Sequence, residues 1–276
     1  NGGEVTHLRY ASQRDQNKSQ RRKYHEDKAI AGSEKSKDAL AREEAKEKTK
    51  SMRKKNPTEM NNNLPSSFRD PSGFLFRKNE VLYRQINSCH RRNYDHLINS
   101  GFYDQSTKAG ILVPHVELPV TDFIGKEDAY KIIRPNELPF ISYPYEWSFS
   151  QLQDAALFTL DLQKRALSVG LSLKDASAYN VQFYRGRPIF IDTLSFEIRE
   201  KDTPWVAYHQ FCKHFFAPLV LMSLTDAELG KLSQVWIDGI PLDVASKLLP
   251  WHSWLRWSIA LHIHGHAKMQ LLKKII

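Results

Sequence analysis

Three polar side chains in the second half of the chain have the types and spacing needed to hold a metal ion. Asp175 follows a predicted helix, Asn180 comes five residues later at the start of a predicted strand, and Asp192 ends a second, apolar strand. A β-hairpin between Asn180 and Asp192 would bring two carboxylates and one amide together. Oxygen ligands of this kind suit magnesium, which proteins usually share with substrate phosphates. We therefore expect the segment 172–197 to carry the chemistry.

This segment, SLKDASAYNVQFYRGRPIFIDTLSFE, resembles the catalytic core of the protein-kinase-like superfamily. In that superfamily a loop Asp is followed by an Asn five residues later, and a metal-binding Asp comes after a short hairpin. The resemblance implies Mg-ATP-dependent phosphoryl transfer to a hydroxyl acceptor. It gives Asp175 the role of orienting or deprotonating that hydroxyl and Lys174 that of supporting the γ-phosphate. Asn180 and Asp192 would hold Mg²⁺ and ATP.

The chain departs from the kinase pattern in several places. None of its 12 glycines stands in a G-x-G sequence, no V-A-I-K strand is present, and the D-F-G triplet is replaced by Asp192–Thr193–Leu194. By chain order the cation that pairs the phosphates would be Arg84, ahead of a predicted helix. By residue type it would be Lys131, and the sequence leaves both open. Small-molecule kinases and inactive pseudokinases show similar losses, so the resemblance bears on the fold more than on activity.

The resemblance also implies a bilobal α+β fold, with a strand-rich N-lobe over 60–147 and a helical C-lobe over 148–276. The stretch PFISYPYEW at 139–147 would connect the two lobes. Under the kinase resemblance, Tyr143 and Tyr145 in this stretch would border the adenine.

The hydrophobic pattern of the N-lobe predicts mainly strands. Alternation around Asn79 predicts a β-hairpin, Ser88 is a candidate cap for a helix ending at Gly101, and prolines bound two further strands. The predicted strands are 73–78, 80–86, 111–119 and 129–135.

The C-lobe pattern is mainly helical. Ser148 and Gln151 form a capping-box pattern at the start of a helix that ends at Gly170. Its expected buried stripe is Phe149, Leu152, Ala156, Leu160 and Leu167. A hairpin is predicted over 180–192. Three more helices are predicted after it, one capped by Thr203 and kinked by Pro218, one opening at Thr225 and one from about His252.

Residues from about 66 to 268 look like the N-terminal region of bacterial class I S-adenosylmethionine-dependent methyltransferases related to nodulation-type proteins. SSFRDPSGFLFRKNEVLYRQIN and LLPWHSWLRWSIALHIHGHAK are two of the stretches that carry this resemblance. It implies that a methyltransferase domain follows. A glycine-rich turn for that cofactor is missing from this sequence, so S-adenosylmethionine would be bound only through a domain absent here. The alternative function is therefore a non-catalytic recognition or regulatory module of such an enzyme.

The charge of the chain is unevenly distributed. The net charge is +9, of which residues 1–59 contribute +6, from 16 Lys and Arg against 10 Asp and Glu. Those residues contain few apolar side chains, so we expect a disordered tail, with the natural start at Met60. The remainder is nearly neutral, which does not favour nucleic-acid binding.

The cysteine count and the apolar segments bear on the compartment. The 2 cysteines, Cys89 and Cys212, cannot build a disulfide framework, which indicates a reducing, cytoplasmic compartment. No apolar stretch is long enough for a membrane span.

Two further groups of side chains are not expected to carry chemistry. Trp251, Trp254 and Trp257 recur every three residues, which is typical of a buried helix face. His262 and His266 share a helix face, but no carboxylate pair accompanies them, so interhelical packing or solvation is expected rather than a metal site. The acceptor stays open between a small metabolite, a sugar, a lipid and a protein hydroxyl.

Overall fold

The computed structural model describes residues 70–123 and 128–273, together with the backbone of 62–63, and its side chains are described as far as 269. These residues belong to one compact unit, Asn61–Ile276. The predicted disordered tail over 1–59 and the expected start at Met60 lie outside the described residues. The described part combines helices with antiparallel sheets, which confirms an α+β architecture.

An antiparallel sheet of five strands forms the first half of this unit, in the order β1-β2-β3-β5-β4. The strands are β1 (Asn62–Asn63), β2 (Gly73–Lys78), β3 (Val81–Asn87), β4 (His115–Leu118) and β5 (Ala129–Pro135).

The predicted hairpin and one of the two predicted single strands are confirmed. The hairpin β2–β3 turns through Asn79 and Glu80, which both have positive φ angles, as tight hairpin turns require. The predicted strand 129–135 is β5. The predicted strand 111–119 is shorter than expected, because Pro114 and Pro119 lack an N–H and flank the paired residues of β4.

Two helices connect β3 with β4, where one was predicted. They are α1 (Arg91–Asn99) and α2 (Phe102–Lys108), and Gly101 separates them with a φ of 75°. The helical turn Ser88–His90 precedes α1. Ser88 is not a cap, since its hydroxyl donates instead to the Asp128 carbonyl at 3.2 Å.

The longest helix, α3 (Phe149–Ser168), begins with the predicted capping box. The Ser148 hydroxyl accepts from the Gln151 amide at 3.3 Å, and the Gln151 side chain accepts from the Ser148 amide at 3.0 Å. The buried face of α3 is centred differently from the expected stripe, because Leu160 and Phe149 are exposed. Its buried residues are Leu152, Ala155, Ala156, Thr159, Leu162, Gln163 and Ala166.

Two short antiparallel pairs follow α3 and frame the segment expected to carry the chemistry. Strand β6 (Leu171–Leu173) pairs with β9 (Phe196–Ile198), and between them lies the hairpin of β7 (Val181–Tyr184) and β8 (Arg187–Phe190). The hairpin predicted over 180–192 is thereby confirmed. Asp175 and Asn180 lie in the loop between β6 and β7, and Asp192 follows β8.

Helices make up the remaining described chain. They are α4 (Tyr208–Phe211), a π-helical segment (Cys212–Phe216), α5 (Ala217–Leu224), α6 (Leu232–Val235), α7 (Leu242–Leu248), α8 (Trp257–Ile259), a second π-helical segment (Ala260–Gly265) and α9 (His266–Lys273). The irregularity expected at Pro218 takes the form of the first π segment, because proline cannot donate to the helix ladder. None of the helices in the described ranges combines the length and apolar character of a bilayer span.

The prediction that Trp251, Trp254 and Trp257 lie in the core is wrong. Their exposed fractions are 78%, 54% and 79%. Trp251 and Trp254 belong to the short helix Trp251–Leu255, whose buried residue is Ser253. The chain around them is anchored instead by Ile259 and Ile263.

A small apolar cluster connects the five-stranded sheet to the loop after β8. It contains Ile86 of β3, Ile133 of β5, Tyr94 of α1 and Leu194, all of them buried. Leu194 is two residues beyond Asp192. The cluster therefore holds the Asp192 loop against the sheet.

Candidate functional site

An ion pair between β3 and the loop after β8 lies at the centre of the candidate site. A terminal guanidinium nitrogen of Arg84 is 2.6 Å from Oδ1 of Asp192, and the two side chains are only 12% and 14% exposed. The Nε of Arg84 is buried and has no hydrogen-bond partner among the described residues. Arg84 therefore faces Asp192 with one donor still available.

The side chains of Asn180 and Asp192 meet at a single hydroxyl. The Asn180 amide donates to Ser195 Oγ at 3.1 Å, and Ser195 Oγ donates to Asp192 Oδ2 at 2.8 Å. Asp192 Oδ1 also accepts from the Leu194 amide at 2.9 Å. Both predicted metal ligands are thus in reach of one hydroxyl, which brings their oxygens into one neighbourhood.

The Lys174 side chain points to the turn that precedes β2. Its ammonium donates to Ser72 Oγ at 2.5 Å and lies 3.5 Å from Asp70 Oδ1. Burial alone would raise the pKa of Asp70, but hydrogen bonds from Ser72 and the charges of Lys174 and Arg84 lower it below its usual value. The Lys174 amide also donates to the Ser195 carbonyl at 2.8 Å, which fixes its loop beside the Asp192 loop.

Asp175 is held in place by a helix from the second half of the chain. Its Oδ1 accepts from the side-chain amide of Gln210 at 2.8 Å and from the Ser177 amide at 2.9 Å. The same Gln210 side chain accepts from the Ala176 amide at 2.8 Å. Gln210 of α4 therefore clamps the loop and orients the carboxylate.

His90, at the start of α1, lies close enough to Asp70, Asp192, Arg84 and Lys174 for their charges to act on its ring. It is 3% exposed, and its Nε2 has no hydrogen-bond partner among the described residues. Burial lowers the pKa of His90 to about 4, the positive charge of Lys174 adds to the decrease, and the carboxylates of Asp70 and Asp192 partly oppose it. His90 is therefore neutral near pH 7.

Lys131, the second candidate for the phosphate-pairing cation, pairs with a different carboxylate. Its ammonium is 2.5 Å from Glu117 Oε2, on the neighbouring strand β4. The other oxygen of Glu117 accepts from the Tyr94 hydroxyl at 2.8 Å. Of the two cations that the sequence left open, only Arg84 contacts Asp192.

Tyr143 and Tyr145 stack on each other with ring centres 5.4 Å apart and nearly parallel planes. Tyr143 also lies 6.5 Å from the ring of Tyr179, the neighbour of Asn180. Burial raises the pKa of Tyr179 to about 12. The tyrosine pair is thus linked to Asn180, a predicted metal ligand, through the ring of its neighbour Tyr179.

The stretch that carries this tyrosine pair is fastened to β7. The side chain of Gln182 accepts from the Ser142 amide at 2.9 Å and donates to the Ser142 carbonyl at 3.0 Å. The Trp147 indole donates to Ser142 Oγ at 2.8 Å. These bonds fix the connecting stretch against the hairpin that follows the Asp175 loop.

The described residues offer few side-chain donors for a metal ion. Across 70–123 and 128–269, no group of three or more His, Cys, Asp or Glu side chains is close enough to hold one. Asn180 and Asp192 supply one amide and one carboxylate, which is too few for an all-protein cage. Such a pair fits magnesium, which keeps waters and takes phosphate oxygens as its remaining ligands.

Four residues of the site were not found by sequence reasoning. Ser195, Gln210, Asp70 and Ser72 contact the predicted residues without belonging to the motif. The only signal in the sequence was that Ser195 lies three residues after Asp192 at the end of a polar turn, which favours a local side-chain hydrogen bond.

Comparison with known proteins shows similarity to a nodulation protein. No family model matches the chain. The chain is 35% identical over 208 residues to the nodulation protein NoeA of Rhizobium meliloti (strain 1021), and the match covers 75% of this chain and 43% of that protein. The chain thus spans less than half the length of that relative. This supports the resemblance to nodulation-type proteins.

Among solved structures, the chain is similar to the Lpg2603 kinase of Legionella pneumophila bound to IP6. The two are 15% identical, with a TM-score of 0.32 over 60% of this chain and 57% of that one.

Proposed function

We propose that the chain contains a divergent kinase-like module that transfers a phosphoryl group from Mg-ATP to a hydroxyl acceptor. The observation that carries this proposal is the ion pair between Arg84 and Asp192, beside the hydroxyl that Asp192 shares with Asn180. In protein kinases the phosphate-binding cation comes from a strand ahead of a helix, and the metal ligands are an Asp and an Asn. Arg84 lies on β3, the strand ahead of α1, and so has the same position in the chain.

The nucleotide phosphates would be bound by cations from two separate elements. Arg84 offers its buried Nε–H together with its terminal nitrogens, and Lys174 offers its ammonium. Asn180 and Asp192 would hold the magnesium ion, which neutralises phosphate charge when bound. Ser195 keeps these two ligands in one orientation, because its hydroxyl bonds to both.

Asp175 would orient the acceptor hydroxyl and accept its proton. Gln210 fixes one carboxylate oxygen of Asp175 at 2.8 Å, so the carboxylate is already positioned before an acceptor binds. Prior positioning of a base lowers the entropy cost of reaching the reactive geometry. The tyrosine pair Tyr143–Tyr145, next to Tyr179, would border the adenine.

A nucleotide-binding experiment tests the proposal. The chain is titrated with Mg-ATP, and binding is followed by calorimetry and by the increase in melting temperature that ligand binding to the native state causes. We expect Arg84→Met and Asn180→Ala to raise the Kd at least about tenfold, which is about 1.4 kcal/mol. Lys131→Met is the matched control, since it removes a cation that contacts Glu117 rather than Asp192.

A second pair of variants separates binding from turnover. Asp175→Asn should keep the Mg-ATP affinity within about twofold while the formation of ADP from ATP falls about a hundredfold, because a positioned base contributes to the transfer step. Asp192→Ala should lose both. Absence of Mg-ATP binding by the unmodified chain, with its circular dichroism spectrum that of a folded protein, would contradict the proposal.

A second candidate function is that of a non-catalytic recognition or regulatory module in a longer enzyme that carries a methyltransferase domain. Two observations favour it. The match covers only 43% of the nodulation protein, and both oxygens of Asp192 already have protein partners, Arg84 and Ser195. On this view the ion pair is a permanent structural element. The same titration separates the two functions, since a module of this kind shows no magnesium-dependent affinity for ATP.

A further inference from the structure

An exposed apolar surface lies around the short helix Trp251–Leu255, and neither the site nor the proposed activity uses it. Its members are large side chains whose exposure is 40% or more. They are Leu248, Trp251, Trp254, Leu255, Trp257 and Leu261, with Trp251, Leu255 and Trp257 above 75%. We call this set the tryptophan surface. Single exposed apolar residues are ordinary in proteins, but six large ones within the segment 248–261 point to an interaction site.

One face of the Trp254 indole packs against the ring of a buried histidine. It stacks on the ring of His264 at 4.1 Å between ring centres, with an angle of 6° between the planes. His264 is itself fixed by the hydroxyls of Ser246 at 2.7 Å and Ser253 at 2.8 Å. One face of the indole is therefore covered, and the side chain projects in a single orientation.

The segment 244–268, which carries the tryptophan surface, contains cations and no Asp or Glu. Lys247, Arg256 and Lys268 are exposed, Lys247 directly precedes Leu248, and Arg256 lies between Leu255 and Trp257 in the sequence. After Asp243 the sequence contains no Asp or Glu up to its last residue. The side chains that project with the tryptophans thus favour an anionic partner.

We propose that the tryptophan surface binds the interface of an anionic lipid bilayer. Trp residues prefer this interface, where the ring contacts the acyl boundary and the indole N–H stays hydrated. Peripheral binding of this type combines buried apolar side chains with cations that attract acidic headgroups. The chain would lie on the bilayer surface, since none of its described helices fits a span. The proposal is independent of the proposed phosphoryl transfer.

Sedimentation with vesicles tests this binding. The full chain is mixed with vesicles of phosphatidylcholine containing about 30 mol% phosphatidylglycerol, and with vesicles of phosphatidylcholine alone. We expect binding to the first at low salt, weakening as salt is added, and at least about tenfold weaker binding to the second. Indole fluorescence should shift to the blue on binding.

Three variants assign the binding to the tryptophan surface. The apolar variant Trp251→Ala/Trp257→Ala spares the stacked Trp254, and the charge variant is Lys247→Gln/Arg256→Gln/Lys268→Gln. Each should lower the vesicle affinity at least about tenfold. The control Val206→Ser/Val235→Ser removes two side chains that are 65% and 68% exposed elsewhere, and it should bind as the unmodified chain does.

Other outcomes overturn the proposal. If the apolar variant binds vesicles as tightly as the unmodified chain does, the membrane contact lies on another surface of the protein. If no vesicle binding is seen and the chain self-associates in a manner that the apolar variant abolishes, the partner is a second copy. A monomeric chain that does not bind vesicles would leave a protein partner as the occupant of this surface.

Discussion

Arg84 and Asp192 form a largely buried ion pair in which a strand of the sheet holds the loop that follows the second hairpin. Their charged atoms are 2.6 Å apart. Two charges removed from water depend on each other, so the loss of one leaves the other without compensation. The pair is therefore important for the stability of the fold, whether or not it binds a nucleotide.

The first prediction concerns the mutual dependence of the Arg84 and Asp192 charges. Arg84→Met should lower the free energy of unfolding by about 2–3 kcal/mol, because Asp192 then stays buried without its cation. The double variant Arg84→Met/Asp192→Leu should recover at least half of that loss. Urea unfolding of the unmodified chain, both single variants and the double variant measures the coupling energy. Strictly additive losses would show that the two charges do not interact.

The second prediction concerns Gly73, the first residue of β2. A Cβ on Gly73 would lie 2.0 Å from the Gln85 carbonyl oxygen and 2.9 Å from Leu194 Cδ1. Gly73→Ala must therefore separate the hairpin strands or shift the Asp192 loop, and should cost about 2–3 kcal/mol of unfolding free energy.

Gly110→Ala is the matched control for Gly73→Ala. Gly110 has a φ of +69° and nothing within 4 Å of the added carbon, so it measures backbone strain alone, at about 1 kcal/mol. Thermal or urea unfolding compares the two variants. If they lose the same stability, the close approach at Gly73 is not the cause.

The third prediction concerns acid stability. The pKa of His90 in the folded chain is about 4, against an ordinary value of 6.5. Between these values the unfolded chain binds a proton that the folded chain does not, so stability falls as the pH falls through this window. The loss is at most about 1.4 kcal/mol per pH unit for this group, and it levels off below pH 4.

Removal of the ionisable ring tests this assignment. His90→Gln should show a smaller loss of unfolding free energy between neutral pH and about pH 4.5 than the unmodified chain. Exposed His252 offers the control variant His252→Gln, whose pH dependence should match that of the unmodified chain. An unchanged slope in His90→Gln would place the acid sensitivity on the other buried histidines, His115 and His214, whose pKa values are also lowered to about 4.

The fourth prediction concerns Ser195, whose hydroxyl connects Asn180 with Asp192. Ser195→Ala should weaken magnesium-dependent ATP binding about tenfold, because the two ligands lose their common partner. Calorimetric titration with Mg-ATP, and with ATP in the presence of a chelator, separates the metal-dependent part. Ser168→Ala removes an exposed hydroxyl from the end of α3 and should change neither value. A loss of equal size without magnesium would assign Ser195 a general structural role.

Elements with local sequence signals were predicted well. The hairpin β2–β3, the hairpin β7–β8 and the start of α3 at Ser148 all depend on residues a few positions apart, so a short window contains the whole signal. The cap predicted at Thr225 was wrong by one residue, since the Asp226 carboxylate accepts from the Glu228 amide. Neighbouring cap residues compete, and the sequence alone does not decide between them.

Burial was harder to predict than secondary structure. The spacing of Trp251, Trp254 and Trp257 fits a buried helix face, but these side chains are exposed because Ile259 and Ile263 supply the packing there. Leu160 likewise fits the expected stripe of α3 and is exposed. A periodic pattern of apolar residues shows which residues share one face of a helix. Which face meets the rest of the chain depends on tertiary contacts far away in sequence.

The same limit applies to the candidate site. The choice between Arg84 and Lys131 could not be made from the sequence, because it depends on which of the two side chains reaches Asp192 in space. Gln210 and Ser72 come from elements far from the motif, so its spacing contains no information about them.

The contact between Lys174 and Ser72 joins residues 102 positions apart. During synthesis, the sheet that carries Arg84 leaves the ribosome well before Asp192 and Gln210 are made. Until Asp192 is made, the Arg84 guanidinium has no carboxylate partner there and stays hydrated. A nascent chain that ends before Asp192 would therefore lack both the ion pair and the Leu194 contact that hold the later loop against the sheet.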